Sequence, residues 1–384
     1  MIIKNLQLKH FRNYEALDIN FNKKINIFVG NNAQGKTNII ESIYTLAITK
    51  SHRTHLDANL IQKDCKSSRV KGLIRKHGET DDSELEILFN CKGKKVSINK
   101  KPIRKISDYI SYFNVIIFHP DDLDILKGSP SERRKFLNIE IGQLDNRYLA
   151  VLNNYNTILK NRNEYLKRIT IDKYDKNYLD IITDQLVNNA VKIYIYRKKF
   201  IDDINDAIRK VNEKIKGFEA LEVKYDTSIP VTDTVQMKET LLNKYRSSLQ
   251  REIIMSQTMT GPHRDDFIFF ANEKNIKEFG SQGQQRMSVL CLKLAEIELF
   301  KEKKGEYPVL LLDDIFSELD SSKRHNIIKY LNKRMQIMIT TTDISDIEKS
   351  ILKNASIFKV DKATVTESNQ EKISKGRGEY NGRK

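Results

Sequence analysis

Residues 30–37 read Gly30-Asn31-Asn32-Ala33-Gln34-Gly35-Lys36-Thr37, and this octapeptide decides the fold. Gly30, Gly35, Lys36 and Thr37 occupy the fixed positions of the phosphate-loop pattern G-x-x-x-x-G-K-[ST]. A glycine-rich turn of this kind points backbone N–H groups at a phosphate chain, and the helix that follows adds its positive N-terminal end. Lys36 is the side chain for the β- and γ-phosphates, and the Thr37 hydroxyl is a ligand for the Mg²⁺ that bridges them. The flanks agree. Residues 24–29 (KINIFV) read as a short buried strand running into Gly30, and Ile39, Ile40, Ile43, Leu46 and Ala47 then recur at helical spacing. Strand, loop and helix in that order predict an ATP-type nucleotide site in an α/β fold.

The 384 residues carry a net charge of +16, with 31% charged and 39% hydrophobic side chains. Such a balance suits a polyanionic partner, nucleic acid or an anionic surface, although a generally lysine-rich composition gives the same sum. No apolar run approaches the ~20 residues that cross a bilayer, and the N-terminus has no signal-peptide pattern, so no membrane association is expected. Cys65, Cys91 and Cys291 are widely spaced and form no C-x-x-C. They exclude a disulfide framework and point to a reducing, cytoplasmic compartment.

Outward from the loop, residues 1–29 alternate like paired strands with a turn at Arg12-Asn13-Tyr14. A second β-rich stretch spans 70–118 and ends where Pro120 stops the buried run Val115-Ile116-Ile117-Phe118. From 131 to 217 there is no proline, and the apolar period becomes helical. Leu152, Leu159 and Leu166 are seven apart, as are Val187, Tyr194, Ile201, Ile208 and Ile215, joined by Ile204 and Val211. These seams predict two helices of ~35–40 residues in an antiparallel hairpin. A strand and a further helix are expected over 219–250. The expected division is a split α/β domain of 1–120 and 253–370, an inserted helical domain of 121–252, and a disordered basic tail of 371–384.

Three further segments carry chemistry. The run Val309-Leu310-Leu311-Leu312-Asp313-Asp314 is a buried strand ending in two carboxylates. Asp313 is assigned to Mg²⁺ and Asp314 to the attacking water. Phe316-Ser317-Glu318-Leu319-Asp320 follows. Upstream, Ser281, Gly283 and Gln284 stand at the start of a helix and form a second anion site. One nucleotide does not need two phosphate sites in one chain. The second is therefore expected to cap ATP held by another copy, in a head-to-tail homodimer about a two-fold axis.

In this order the phosphate loop, S-x-G-Q segment, carboxylate strand and SELD segment resemble the ABC-type ATPase heads of SMC-like proteins. The finer resemblance is to the RecF family of bacterial recombination mediators. It is carried by His10-Phe11-Arg12-Asn13-Tyr14, Phe118-His119-Pro120-Asp121-Asp122-Leu123, residues 128–137 (GSPSERRKFL), Gly261-Pro262-His263-Arg264-Asp265-Asp266 and Ser281-Gln282-Gly283-Gln284-Gln285-Arg286, and covers all but the basic tail. The resemblance implies an ABC-type head with mixed sheets and an inserted, mainly helical domain. It also implies an ATP-dependent DNA-binding protein that dimerises on ATP and hydrolyses it slowly. The family acts with RecO and RecR at gaps and junctions to load RecA, in repair, replication restart and SOS induction. Two departures stand out. Asp314 replaces the usual catalytic glutamate, and Thr342 stands where a switch histidine is usual.

DNA contacts are the least legible part. Residues 92–105 hold seven basic side chains in fourteen and no acid. Lys94, Lys95, Lys100, Lys101, Arg104 and Lys105 are the candidate contacts to duplex phosphates. Arg133, Arg134 and Lys135 form a second cluster, and Arg197, Lys198 and Lys199 a third. Each cluster equally fits a solvated face, and Arg133 and Arg134 have Asp121, Asp122 and Asp124 nearby in sequence as internal partners. Two other classes remain as alternatives. One is the ATPase subunit of an ABC transporter, against which the long helical insertion stands. The other is a small-molecule phosphotransferase, which gives Ser281 no role.

Overall fold

A computed structural model describes residues 1–171, 173–214, 221–315, 331, 335–347 and 349–368. The first strands are β1 (Ile2–Phe11), β2 (Tyr14–Asn20) and β3 (Ile25–Val29), followed by α1 (Lys36–Ile48). Then come β4 (Ser67–Arg75), β5 (Ser83–Asn90), β6 (Gly93–Ile98), β7 (Lys101–Ile103), α2 (Ile106–Tyr109) and β8 (Val115–Phe118). β1 and β2 form the expected hairpin, with Phe11 opposite Tyr14. Alternation along β1 buries Ile3, Leu6, Leu8 and Phe11, and a bulge between Ile3 and Asn5 shifts its register against β4.

The helical part comprises α3 (Asp124–Lys127), α4 (Pro130–Leu144), α5 (Asn146–Leu166), α6 (Lys176–Lys214), β9 (Leu221–Asp226) and α7 (Thr234–Met255). It continues with β10 (Asp266–Ala271), β11 (Lys274–Asn275), α8 (Ile276–Phe279) and α9 (Gln282–Lys304). The remaining strands are β12 (Val309–Asp313), β13 (Ile337–Thr341), β14 (Ala355–Asp361) and β15 (Thr364–Ser368).

Contacts divide the chain into one unit of Met1–Asp122 with the chain from Phe300 on, and a second of Leu123–Leu299. The first junction falls two residues from the expected 120. The second lies at 300 instead of 253, because β10 pairs with β9 and residues 253–299 cluster with the insert. The proposed tail, the SELD segment at 316–320 and Ile215 of the heptad seam lie outside the described residues.

The first unit holds two six-stranded sheets. One, in the order β2-β1-β4-β5-β6-β7, is antiparallel. The other runs β15-β14-β3-β13-β12-β8, and its strands from β14 to β8 are parallel. β12, β13 and β8 are buried at every position, as expected of parallel strands covered on both faces. Such a sheet offers its ligand site at the carboxyl ends of its strands. β3 and β12 therefore deliver the phosphate loop and Asp313 to one edge.

In the second unit α5 and α6 pair antiparallel. Arg162 meets Thr183 near the connecting turn, and Tyr148 meets Arg197 further along. α6 has 39 residues and buries Val187, Tyr194, Ile201, Ile204, Ile208 and Val211, the predicted seam. The partner helix is not one long rod. It breaks at Asp145, which is extended (φ −145°) and accepts a hydrogen bond from the Arg147 N–H, ending α4 and capping α5. The seam on α5 is partly displaced: Leu166 is buried as expected, but Leu152 and Leu159 are half-buried and Tyr148, Tyr155 and Arg162 are buried instead. Polar residues at heptad spacing were invisible to an apolar pattern. Among the described residues no helix is long and apolar enough to cross a membrane.

Candidate nucleotide site

The phosphate loop connects β3 to α1 as the sequence required. Gly30 must be glycine, because a Cβ there would stand 2.2 Å from the Val360 carbonyl of β14. Gly35 has φ +114°, and its Cβ would meet the Asn13 amide and the Tyr14 hydroxyl at 2.8 Å. The buried Tyr14 hydroxyl donates to the Gly35 carbonyl at 3.2 Å. Burial raises the phenol well above its usual range, so it stays a neutral donor. Asn31, Asn32 and Ala33 are exposed. The Gln34 side chain instead accepts the Lys362 N–H at 2.6 Å, and its carbonyl accepts the Ala363 N–H at 3.0 Å. Gln34 thus ties the loop to the β14–β15 turn, and only its backbone is left for a phosphate.

Lys36 Nζ donates to the Gly30 and Asn31 carbonyls at 2.6 and 2.8 Å, holding the loop around its own ammonium. Burial lowers the pKa of this lysine, and the charges of Asp314 and then Asp313 oppose that shift. Thr37 Oγ1 lies 3.1 Å from Asp313 Oδ1, so the hydroxyl and carboxylate assigned to the metal converge. Asp313 is buried, and a second hydroxyl, Thr340 Oγ1, donates to the same Oδ1 at 2.7 Å while accepting the Asp314 N–H at 3.0 Å. Asp314 is half-buried and left-handed (φ 52°), a conformation that aspartate adopts more readily than most non-glycine residues. Thr342, expected in the place of a switch histidine, is exposed just past β13.

Several of these partners escaped the sequence reading. Strand β13 runs to Thr341, and three consecutive threonines offer no pattern that singles out Thr340. Glu41, fully buried on α1, is bonded by Arg12 Nε at 2.9 Å and by the Ser51 hydroxyl at 2.5 Å. Arg53 Nη1 reaches Asn38 Oδ1 at 2.9 Å, and Asn38 also donates to Asn13 at 2.7 Å. The His10–Tyr14 segment therefore braces the first turns of α1. Its arginine and asparagine were the available signal.

The second anion motif is built as a capping box. The Gln284 N–H donates to Ser281 Oγ at 3.2 Å, and the Ser281 N–H donates to Gln284 Oε1 at 2.7 Å. Ser281, Gln282 and Gly283 are exposed. The Gln282 and Gly283 N–H groups face no helical carbonyl, as at every helix start.

The basic clusters sort unevenly. Lys95, Lys100, Lys101, Arg104 and Lys105 are exposed on and just after the β6–β7 hairpin. Lys94 departs from its expected role. Its ammonium donates to the Thr49 carbonyl and lies 3.1 Å from Asp57, with burial lowering its pKa, so it holds the sheet to the loop after α1. Arg133 pairs with Asp266 through two bonds of 2.6 and 2.7 Å, and Arg134 donates to the Asp265 carbonyl at 2.7 Å. Arg197 is buried against the Pro262 carbonyl at 2.6 Å, while Lys198 pairs with Asp202. The internal partners are thus Asp265 and Asp266 rather than Asp121, Asp122 or Asp124. Asp122 instead accepts the His119 N–H at 2.9 Å.

Comparison with known proteins places this geometry. The family described as RecF/RecN/SMC N terminal domain matches residues 2–366. The chain is 39% identical over 374 residues to a DNA replication and repair protein RecF of Ligilactobacillus salivarius, covering 96% of this chain and 98% of that one. Identity to a Listeria monocytogenes RecF is 42% over 372 residues, covering 96% and 100%. A solved structure of the recombination mediator protein RecF-ATP in the RecFOR pathway superposes with a TM-score of 0.89 at 32% identity, over 96% of this chain and 97% of that one. Its fold is accordingly that of an SMC/ABC-type ATPase head, and the chain belongs to the RecF branch of the RecF/RecN/SMC family.

Proposed function

We propose that the chain is an ATP-dependent, DNA-binding recombination mediator of the RecF kind. The observation that carries this reading is the convergence of Thr37 and Asp313, 3.1 Å apart, at the foot of a phosphate loop that holds the Lys36 ammonium. Asn31, Asn32, Ala33, Gln34 and Gly35 offer backbone N–H groups to the triphosphate, with Lys36 beside them, while the Gly30 N–H donates to the Thr341 carbonyl at 3.4 Å and ties the start of the loop to β13. Thr37 and Asp313 are hard oxygen donors that fit Mg²⁺, which would neutralise phosphate charge there. Asp314 orients the attacking water, and Thr342 takes the place of the switch histidine. Its carboxylate is one methylene shorter than a glutamate, and its backbone is held left-handed. Both features favour slow turnover, which DNA raises.

Ser281, Gly283 and Gln284 of a second copy complete the site, so that ATP joins two copies head to tail. The exposed Lys95, Lys100, Lys101, Arg104 and Lys105 then contact phosphates of gapped or junction DNA. The superposed structure is of a RecF in the RecFOR pathway, which supports RecO and RecR as partners. With them the protein would load RecA in the cytoplasm for repair, replication restart and SOS induction, and hydrolysis would reset it. Sedimentation with and without ATP tests the core of the reading. An ATP-induced dimer is expected for the wild type and lost in Lys36→Arg and Ser281→Arg. A wild type that stays monomeric at every ATP concentration refutes the shared site.

A further inference from the structure

Of the large apolar side chains exposed among the described residues, two lie beside the phosphate-loop and Ser281 segments on well-braced backbone. Phe279, the last residue of α8, is 70% exposed, and Leu56 is 65% exposed. α8 is a single turn with Ile276 buried at its start. Gln285 of α9 donates its side-chain amide to the Ile276 carbonyl at 3.2 Å, and the Gly280 N–H donates to the same carbonyl at 3.0 Å. A Cβ on Gly280 would stand 2.6 Å from that carbonyl, so the turn closes tightly only with glycine there. The Phe279 backbone is therefore anchored two residues before Ser281, beside the exposed start of α9.

Leu56 belongs to the phosphate-loop half. Its N–H donates to Thr54 Oγ1 at 3.2 Å, and the Thr54 N–H donates to Ser51 Oγ at 3.1 Å. Arg53 from the same loop reaches Asn38, the residue after Thr37. Each half of the nucleotide site thus carries one exposed, pre-positioned apolar side chain on its flank.

In a two-fold, head-to-tail pair, what flanks the Ser281 half of one copy faces what flanks the phosphate-loop half of the other, and the contact occurs twice. We propose that Phe279 of one copy packs against Leu56 of a second copy, forming an apolar clasp beside each shared nucleotide. The inference rests on the reading of ATP as the bridge between copies, and it supplies that bridge with a part insensitive to salt. Aromatic side chains flanked by polar rims are the usual anchors of protein interfaces.

The test is sedimentation of the full chain with Mg²⁺ and the slowly hydrolysed analogue ATPγS, for wild type, Phe279→Asp, Leu56→Asp and the double variant Phe279→Lys with Leu56→Glu. Each single aspartate is expected to raise the dimer dissociation constant about tenfold or more. The charge-paired double variant is expected to recover much of that loss. Binding of a fluorescent ATP analogue to the monomer should be unchanged throughout, because neither residue belongs to the loop of its own copy. Wild-type affinity in either single variant overturns the clasp, as does a double variant no better than the singles. If the wild type dimerises and Ser281→Arg does not, those outcomes refute the clasp alone. A wild type that never dimerises refutes the clasp together with the shared site beneath it.

Discussion

Replacing Asp265 by asparagine should expose a pH dependence of stability that the wild type conceals. In the GPHRDD segment of the helical unit, Gly261, Pro262 and Asp265 are buried and His263 is half-buried. His263 Nε2 lies 3.1 Å from the Thr258 carbonyl, which can only accept, so Nε2 carries the ring proton. Nδ1 therefore accepts from the Tyr155 hydroxyl at 2.6 Å. Burial, with Arg264, Arg134 and Arg197 adding to it, pushes His263 down to about 4. Asp265 accepts from the Tyr225 hydroxyl at 2.6 Å, and burial pushes it up to about 6.

Between pH 4 and the ordinary histidine value of about 6.5, the unfolded chain binds the His263 proton and the folded one does not. Stability from this group therefore rises with pH across that window, by about 3 kcal/mol at 1.36 kcal/mol per unit. For Asp265 the folded state is the one that holds the proton, between the ordinary value of about 3.9 and 6. Its contribution falls with rising pH by about 3 kcal/mol over almost the same window. The two slopes nearly cancel. In Asp265→Asn only the histidine slope survives. Relative to wild type, the variant should lose about 3 kcal/mol on going from pH 6.5 to 4, and His263→Gln should show the opposite slope. Urea titrations at half-unit pH steps measure the difference, in which all other groups cancel. A variant-minus-wild-type difference flat to within about 1 kcal/mol would refute the assigned protonation states.

Four other outcomes follow. Asp314→Asn should leave ATP-induced dimerisation intact while lowering single-turnover hydrolysis by about a hundredfold or more, and undiminished hydrolysis would remove Asp314 from the water. Lys100→Ala with Lys101→Ala should reduce the slope of log affinity against log salt for duplex DNA by about 2. Lys94→Ala should leave that slope unchanged and cost about 1 kcal/mol of stability, which salt titrations and thermal melts distinguish. Gly30→Ala places a methyl 2.2 Å from the Val360 carbonyl, so equilibrium dialysis should find nucleotide binding lost, and wild-type binding would mean that β14 yields.

The phosphate loop, the buried β12 and the α6 seam were legible because each is a local pattern whose period or fixed positions are set by backbone geometry. The partners that finish the site were not. Thr340 touches Asp313 only because β13 lies beside β12 in the sheet, a neighbour relation that no spacing encodes. Charge clusters misled for a related reason. A run of arginines looks alike whether it meets solvent or a buried carboxylate, and Arg133 finds Asp266 133 residues away. The same blindness reaches Lys94, whose neighbours Lys95 and Lys100 are exposed while it turns to Asp57. Long-range pairing thus separates the two kinds of basic residue. Where arginine is buried on a carboxylate, as in Arg133–Asp266 and Arg162–Glu252, removing one partner strands a charge and destabilises the fold. Where lysine stands on an exposed hairpin turn, its loss leaves the fold intact and weakens only what the charge attracts. On the proposed function, the exposed β6–β7 lysines are therefore positions whose loss should weaken DNA affinity without altering stability.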